Sequence, residues 1–114
     1  MLIRAVEAVE PIPYVEGVKK RVVIGPKEGA SNYVMRVFDV LPGQRTMSHA
    51  HDFEHEVLIL SGEGAVVDGQ GRMMQVKPLD AIFIPANEKH SLKNTGNDTF
   101  SFVCIVPTWG EDSL

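Results

Sequence analysis

Short β-rich runs, most of them followed within two residues by glycine or proline, recur along this sequence and restrict the folds open to it. No window of useful length keeps apolar residues at the spacing i, i+3, i+4 and i+7 that an amphipathic helix needs. The pattern therefore predicts about nine short strands and an all-β sandwich or barrel with little or no helix. The clearest strands are predicted at 21–24, 33–41, 55–60, 65–67, 72–76, 81–84, 91–92 and 100–106.

The 114 residues fit one domain, because a second would have too little chain for its own core. Three segments are expected within it. Residues 1–20 contain Pro11 and Pro13, and proline confines a strand to a sheet edge, so we expect an extended arm or edge strand there. Residues 21–109 are expected to form the barrel, and residues 110–114 a flexible tail.

Charge and cysteine content exclude several classes of protein. With 11 basic and 15 acidic residues the formal charge is −4, which is the wrong sign for a protein that neutralises phosphates, so no nucleic-acid partner is expected. No uncharged apolar run approaches the ~18 residues that span a bilayer, and Arg4, Glu7 and Glu10 interrupt the N-terminal stretch, unlike a signal peptide. The single cysteine, Cys104, excludes a disulfide-stapled secreted scaffold. A cytoplasmic protein is therefore expected.

The placement of the four histidines is the most informative functional feature. His49, His51 and His55 lie within seven residues and share odd numbers, so a continuous strand would turn all three toward one face. Buried imidazoles need partners for their nitrogens, and a bound cation supplies one to each ring. The cluster therefore favours a metal site, although a His-x-His pair also arises by chance and an isolated strand histidine is usually a surface or hydrogen-bonded residue.

The surroundings of this cluster resemble the first motif of the cupin superfamily, G-x5-H-x-H-x(3,4)-E-x6-G. Gly43 is followed after five residues by His49 and His51, and after three more residues by His55, which precedes Gly62 by six residues. The spacing fits throughout, but His55 occupies the position of the family's glutamate.

A second cupin motif, G-x5-P-x-G-x2-H-x3-N, is matched further along the chain by Pro85, His90 and Asn94. Leu79 and Asn87 replace its two glycines. Asn87 is a mild change because asparagine tolerates the left-handed conformation, whereas Leu79 puts the turn before Asp80 in doubt.

The resemblance implies a small single-domain cupin with a double-stranded β-helix, or jelly-roll, fold and a metal held by His49, His51, His55 and His90. The odd-number parity and the six-residue spacing to Gly62 favour His55 as the ligand over the adjacent Glu56. Glu56 is the alternative ligand, and it would need a β-bulge to reach the metal.

Four neutral imidazoles leave the charge of a divalent ion undiminished, and octahedral coordination would leave two adjacent positions open, as in a catalytic site. The resemblance favours manganese or iron, with nickel, copper, zinc and cobalt also suited to imidazole. Because histidine binds metal only when deprotonated, we expect metal loss below about pH 6.

The function that follows is a metal-dependent oxidoreductase of dioxygenase type, acting on a small organic molecule. With every histidine used as a ligand, no free imidazole remains for acid–base work, which disfavours hydrolase chemistry. Two alternatives stay open: a cupin that binds or senses a small ligand without turnover, and a metal-dependent isomerase or lyase. Small cupins commonly pair, so a homodimer that exchanges N-terminal strands is expected.

Strand parity and the resemblance suggest which side chains line the pocket, although a plain apolar core is the simpler interpretation for each of them. Cys104 is either an inert small residue or a thiol facing the metal. Arg36 either grips an anionic substrate group or is a solvated or dimer-interface charge. The pocket candidates are Arg36, Phe53, Ile59, Phe83, Phe102 and Cys104.

Overall fold

The computed structural model describes residues 1–113, and strands dominate them. The only helical segments in this part of the chain are single turns or short stretches of 3-10 helix at Val6–Ala8, Pro26–Glu28 and Thr108–Ser113, none of them with the length and apolar character needed to cross a bilayer. Eight strands confirm the all-β prediction. They are β1 (Val18–Ile24), β2 (Tyr33–Val40), β3 (His55–Ser61), β4 (Gly64–Asp68), β5 (Met73–Val76), β6 (Ala81–Ile84), β7 (His90–Asn94) and β8 (Phe100–Pro107).

The strands form two antiparallel sheets. One has five strands in the order β1-β2-β8-β3-β6, and the other has three in the order β5-β4-β7. Pairing between β2 and β8 places strands that are far apart in the sequence side by side, as does pairing between β4 and β7. The predicted strand positions agree with those observed to within a few residues at each end.

Alternating burial along the central strands separates the barrel interior from the outer face. In β8 the even-numbered residues, from Phe100 to Val106, are buried, and in β3 the odd-numbered residues from His55 to Ile59 are buried. The register between the strands explains why the buried residues have even numbers in β8 and odd numbers in β3, because residues that are Cα partners across a ladder share a face. Phe83 pairs with the exposed Glu56 and is itself exposed, so the prediction that Phe83 faces the interior is wrong; Ile84 takes that place.

The N-terminal segment lies along β1 of its own chain. Ile12 forms an isolated bridge with Lys20, and the guanidinium of Arg4 donates a hydrogen bond to the carbonyl oxygen of Val23, 3.0 Å away. This segment forms no strand before β1, which starts within the predicted arm. At the other end, the predicted tail runs to Leu114, outside the described residues, and its part up to Ser113 lies in 3-10 helix.

The two motif positions that have lost glycine keep a glycine-like backbone. Leu79 has φ 73° and Asn87 has φ 67°, and they are the non-glycine residues with positive φ in the described chain. The Leu79 turn is held by its own N–H, which donates to the Ile59 carbonyl (2.8 Å), and by the Lys77 N–H, which donates to Asp80 Oδ2 (2.9 Å). The turn that Leu79 placed in doubt is therefore formed.

Replacing Leu79 with glycine is expected to raise the free energy of unfolding by up to about 1 kcal/mol, because relief of the left-handed strain exceeds the entropy that glycine adds to the unfolded chain. The Leu79 side chain is exposed, so little burial is lost. The matched control is Leu41→Gly, at an exposed leucine without positive φ, which should lower stability. Urea denaturation measures both changes. A loss of stability in Leu79→Gly would show that the left-handed backbone at Leu79 is not strained.

Candidate metal centre

His49 and His90 are brought together by the backbone. The N–H of each donates a hydrogen bond to the carbonyl oxygen of the other, at 3.1 Å from His49 and 3.0 Å from His90, in an isolated antiparallel bridge. A reciprocal pair of this kind fixes the separation of the two Cα atoms, as in a strand ladder. The two motifs, about 40 residues apart in the sequence, therefore meet at this bridge.

His51 and His55 reach the same place by different routes. The N–H of Asn87 donates to the carbonyl oxygen of His51, an approach that the left-handed backbone of Asn87 makes possible. His55 is the first residue of β3 and points inward, opposite Ile84. The continuous strand expected from His49 to His55 does not form, because the chain between the bridge and β3 is irregular.

The four imidazole rings form a cluster inside the barrel mouth. Ring centroids lie 4.0 Å apart for His49 and His51, 5.2 Å for His51 and His55, and 4.7 Å for His55 and His90. His51, His55 and His90 are buried, and His49 is half-buried. The Nε2 atoms of His51 and His55 are buried with no hydrogen-bond partner, which is costly for a polar atom. These two atoms are the ones that a bound cation would satisfy.

The other ring nitrogens of two histidines are already engaged. His90 Nδ1 lies 2.9 Å from the carbonyl oxygen of Glu88, so Nδ1 carries the proton and donates it, leaving the Nε2 lone pair available. His55 Nδ1 lies 3.2 Å from Cys104 Sγ. An outward partner on one nitrogen and a free lone pair on the other is the usual state of a metal-binding histidine.

The cluster is not a preformed ligand set. Among the side chains described, those of residues 1–110, no three from His, Cys, Asp or Glu already surround one point closely enough to hold an ion. The donor chemistry nevertheless fits a transition metal, since four imidazoles converge and two of their nitrogens lack any partner. Binding would require the rings to turn by a modest amount, as side chains do on faster timescales than backbone.

Burial lowers the pKa of all four histidines. The pKa of His49 falls to about 4, through burial first and then the positive charge on His51 and His90. The pKa of His55 falls to about 3, again through burial first and then through His90 and Arg36. The pKa values of His51 and His90 are also lowered, mainly by burial. The His49 and His55 rings therefore stay neutral, in the form that binds metal, well below pH 6.

These lowered pKa values predict that the metal-free protein loses stability in acid. An unfolded histidine takes up a proton near pH 6.5, whereas folded His49 and His55 resist protonation down to about 4 and about 3. Between these limits the unfolded state binds more protons, so the free energy of unfolding should fall as pH drops from 6.5 towards 4. Thermal unfolding at several pH values measures this, and a His55→Gln variant should show a shallower dependence. An unchanged melting temperature from pH 7 to 4.5 would contradict it.

The pocket candidates other than Phe83 lie in the interior. Phe53 is buried between the cluster and the C-terminal helix, with its ring stacked on His51 at 4.6 Å and perpendicular to Trp109 at 5.4 Å. Ile59 and Phe102 are buried core residues. Glu56, the alternative ligand, is exposed on the outer face, opposite to His55.

Arg36 and Cys104 lie next to the histidines. Arg36 is 1% exposed, so its interpretation as a solvated charge is wrong. Its Nη2 donates to Cys104 Sγ at 3.0 Å, and the same sulfur contacts His55 Nδ1. The sulfur of Cys104 thus contacts a candidate metal ligand. The residue is also buried, as expected of a small core side chain.

Sequence reasoning missed one interior cation, Lys20. It lies opposite Phe38 in the β1–β2 ladder and is 2% exposed. The run Lys19-Lys20-Arg21 is typical of a solvated charge cluster. The available signal was parity, because Lys20 alternates with Val18 and Val22 on the inward face.

The family assignment rests on most of the barrel. Residues 36–106 match the cupin domain family, from the middle of β2 to the end of β8, and include all four histidines. This chain is a cupin. The match, together with the two-sheet topology, confirms the double-stranded β-helix fold expected from the two motifs.

Three relatives place this cupin among diverse proteins. The polyketide cyclase RemF from Streptomyces resistomycificus has a structure with a TM-score of 0.84, at 32% identity over 95% of this chain and 80% of that one. The oxalate-binding protein of Thermotoga maritima is 36% identical over 57% of this chain and 54% of its own length. The tetracenomycin polyketide synthase protein TcmJ of Streptomyces glaucescens is 26% identical over 72% and 56%. The cupin thus spans about half the length of these two curated relatives.

Proposed function

We propose that this cupin is a metal-dependent enzyme whose four histidines, His49, His51, His55 and His90, hold one divalent transition metal ion. The observation that carries the proposal is the pair of buried, unpartnered Nε2 atoms on His51 and His55, within a cluster of four rings. Manganese and iron are the favoured metals, and nickel, copper, zinc and cobalt are compatible with an all-imidazole site. When bound, such an ion supplies Lewis-acid or redox activation of a substrate oxygen.

The remaining residues of the site position the substrate and exclude water. Phe53, Phe102 and Ile59 give the interior an apolar wall, which strengthens electrostatic interactions there. Glu88 fixes the orientation of the His90 ring through its carbonyl oxygen. Cys104 orients the His55 ring through the contact between its Sγ and His55 Nδ1. The chain therefore supplies orientation and a dry environment.

For the reaction we propose dioxygenase-type oxidation of a small organic molecule. Among residues 1–110, whose side chains the structure describes, no Asp or Glu is buried, so these residues offer no interior carboxylate for proton transfer. With the four histidines engaged as ligands, acid–base chemistry has few groups to use, whereas activation of a substrate beside the metal needs none.

Two other functions have specific support. Similarity to the polyketide cyclase RemF over 95% of this chain favours ring closure of a polyketide. Similarity to an oxalate-binding protein favours binding without turnover. In this chain either function would place its ligand at the four histidines, so the two differ from the first proposal only in what happens to the bound molecule.

One experiment separates the three. The protein reconstituted with Mn(II) or Fe(II) is incubated with diketones, catechols, thiols and enols while oxygen consumption and product mass are followed. Oxygen uptake with a gain of oxygen atoms supports the oxidoreductase, and loss of water without oxygen uptake supports the cyclase. Binding without any product supports the non-catalytic function. The activity should disappear in His55→Ala and persist in Glu54→Gln, because Glu54 is exposed.

Self-association stays a prediction, and an apolar patch on the outer face favours it. Leu58 and Phe83 are exposed on β3 and β6, where they are diagonal neighbours across the ladder. Exposed apolar patches usually mark a contact surface. Sedimentation equilibrium should give twice the 12.6 kDa chain mass, and Phe83→Glu should shift the population towards the monomer. The matched control is Met74→Glu, an exposed apolar residue on the other sheet, and a monomeric wild-type protein would contradict the prediction.

A further inference from the structure

A cavity of about 400 Å³ opens to solvent between the C-terminal 3-10 helix and the first residues of β2 and β3. Its volume is within the roughly 300–1,000 Å³ of sites that bind small molecules. Three aromatic rings and three carboxylates line it, and no lysine or arginine is among the described residues that do. These six side chains are Tyr33, Phe53, Trp109, Asp52, Glu54 and Glu56.

Two of the aromatic rings form perpendicular walls of this cavity. The ring centroids of Phe53 and Trp109 are 5.4 Å apart and their planes meet at 87°. Glycine at position 110 permits this packing, because a Cβ on Gly110 would lie 3.0 Å from the Phe53 ring. The N–H of Thr108 donates to the carbonyl oxygen of Asn32 (3.1 Å) and holds the helix beside the start of β2. The walls are therefore fixed by the fold.

The aromatic side chains at the entrance of the cavity are unusually exposed. Trp109 is 58% and Tyr33 is 70% exposed. A cation within about 6 Å of the face of such a ring is attracted by the negative potential of the π-system, most strongly by tryptophan. Exposed apolar groups around a cavity also favour the methyl groups of an alkylated cation over water.

The three carboxylates lie on one side of the chain that leads into β3. Exposed and buried residues alternate there, so Asp52, Glu54 and Glu56 are exposed while the residues between them are buried. None of the three forms an ion pair with another residue whose side chain is described. The negative charge at the cavity is therefore not balanced by those residues, and it attracts a cation and repels an anion.

We propose that this cavity binds a small alkylated ammonium ion, whose methyl groups contact the aromatic rings while the three carboxylates balance its charge. The site is separate from the proposed metal centre. Phe53 lies between the two, since its ring is stacked on that of His51 at 4.6 Å and also lines the cavity. A free cation is favoured over a lipid headgroup, because a phosphate attached to the cation would lie close to the carboxylates.

Titration of the full chain with choline tests the proposal. The chain has one tryptophan, Trp109, so the intrinsic tryptophan fluorescence reports on this cavity, and isothermal titration gives the affinity. Choline should bind at least about tenfold more tightly than its neutral isostere dimethylbutanol, since only the cation is attracted by the ring faces and the carboxylates. The affinity for choline should fall as salt is added. Phosphocholine, the corresponding lipid headgroup, should bind more weakly than choline.

Variants separate the rings from the carboxylates. Trp109→Leu should weaken choline binding about tenfold in isothermal titration, because leucine keeps an apolar surface without a π-system. Glu56→Gln and Asp52→Asn should each weaken it about threefold, and as both residues are exposed these variants should fold. The matched control is Glu16→Gln, an exposed carboxylate beside the far end of the β1–β2 ladder, which should leave the affinity unchanged.

Equal affinities for choline and dimethylbutanol would overturn the proposal, as would choline binding that is unaffected by Trp109→Leu. Tighter binding of phosphocholine than of choline would overturn the free cation as the ligand. Choline binding that is lost in His90→Ala would place the cation at the histidines and overturn the separate site. Metal analysis keeps this proposal apart from the proposed function. Absence of metal with choline binding intact removes the metal centre alone, and a full complement of metal with equal affinities removes the cation site alone.

Discussion

Replacing His90 with alanine is expected to lower the affinity of the protein for a divalent metal by at least about 100-fold, and to leave the purified protein with almost no bound ion. His90 is chosen because its tautomer is fixed. Its Nδ1–H donates a hydrogen bond to the Glu88 carbonyl at 2.9 Å, so the lone pair of Nε2 is free to bind a metal. Its ring centroid also lies 4.7 Å from that of His55 and 5.5 Å from that of His49, so it faces both halves of the cluster.

The measurement is metal content by mass spectrometry after dialysis at neutral pH, followed by competition with a chelator of known affinity. Two control variants sharpen it. Lys89→Ala alters the exposed neighbour of His90 and should keep the metal. Glu56→Gln removes the alternative ligand, which is exposed on the other face of β3, and should keep it as well. Wild-type metal content in His90→Ala would contradict the centre, and loss of metal in Glu56→Gln would replace His55 by Glu56 in the ligand set.

The positions of the strands could be predicted because they depend on local sequence, and the convergence of the four histidines could be predicted because two motifs resemble those of the cupin superfamily. Turn residues end the β-rich runs, and Gly43 and Gly62, the glycines at the two ends of the first motif, both have positive φ, 80° and 84°. At Gly62 the fit is strict, since a Cβ would lie 2.4 Å from the Thr99 carbonyl oxygen. The tolerance of Leu79 at a glycine position was less predictable, because hydrogen bonds from neighbouring residues hold its turn in place.

The failures come from relations between strands. Phe83 was assigned to the interior by counting along the chain, but the register with β3 reverses parity and turns it outward. For Lys20 the local signal is weak, because its alternation with Val18 and Val22 lies within a run of three basic residues. Pairing with β2, which places Lys20 opposite the buried Phe38, puts it inside.

Asn94, the last residue of both β7 and the second motif, connects the metal-bearing strand to the rest of the barrel. It is 1% exposed, and its amide is fully used. Nδ2 donates to the carbonyl oxygens of Val40 and Asp98, each at 2.8 Å, and Oδ1 accepts the N–H of Gly96, also at 2.8 Å. One side chain therefore ties the end of β2 to the turn between β7 and β8.

Asn94→Ala is accordingly expected to lower the free energy of unfolding by about 3 kcal/mol, because it leaves three backbone groups without partners at roughly 1–3 kcal/mol each, offset where water enters. For a domain of this size the melting temperature should fall by roughly 10 °C or more. The matched control is Asn97→Ala in the same turn, where the side chain is exposed and the change should stay within about 0.5 kcal/mol.

Metal content separates this structural role from ligation. Below its lowered melting temperature, Asn94→Ala keeps the four histidines, so it should still bind one ion per chain, in contrast to His90→Ala. Equal stability losses in the Asn94 and Asn97 variants would show that the three hydrogen bonds contribute nothing to folding. Loss of metal from folded Asn94→Ala would show instead that the position of His90 depends on the far end of β7. Asn94 would then be needed for metal binding as well as for stability.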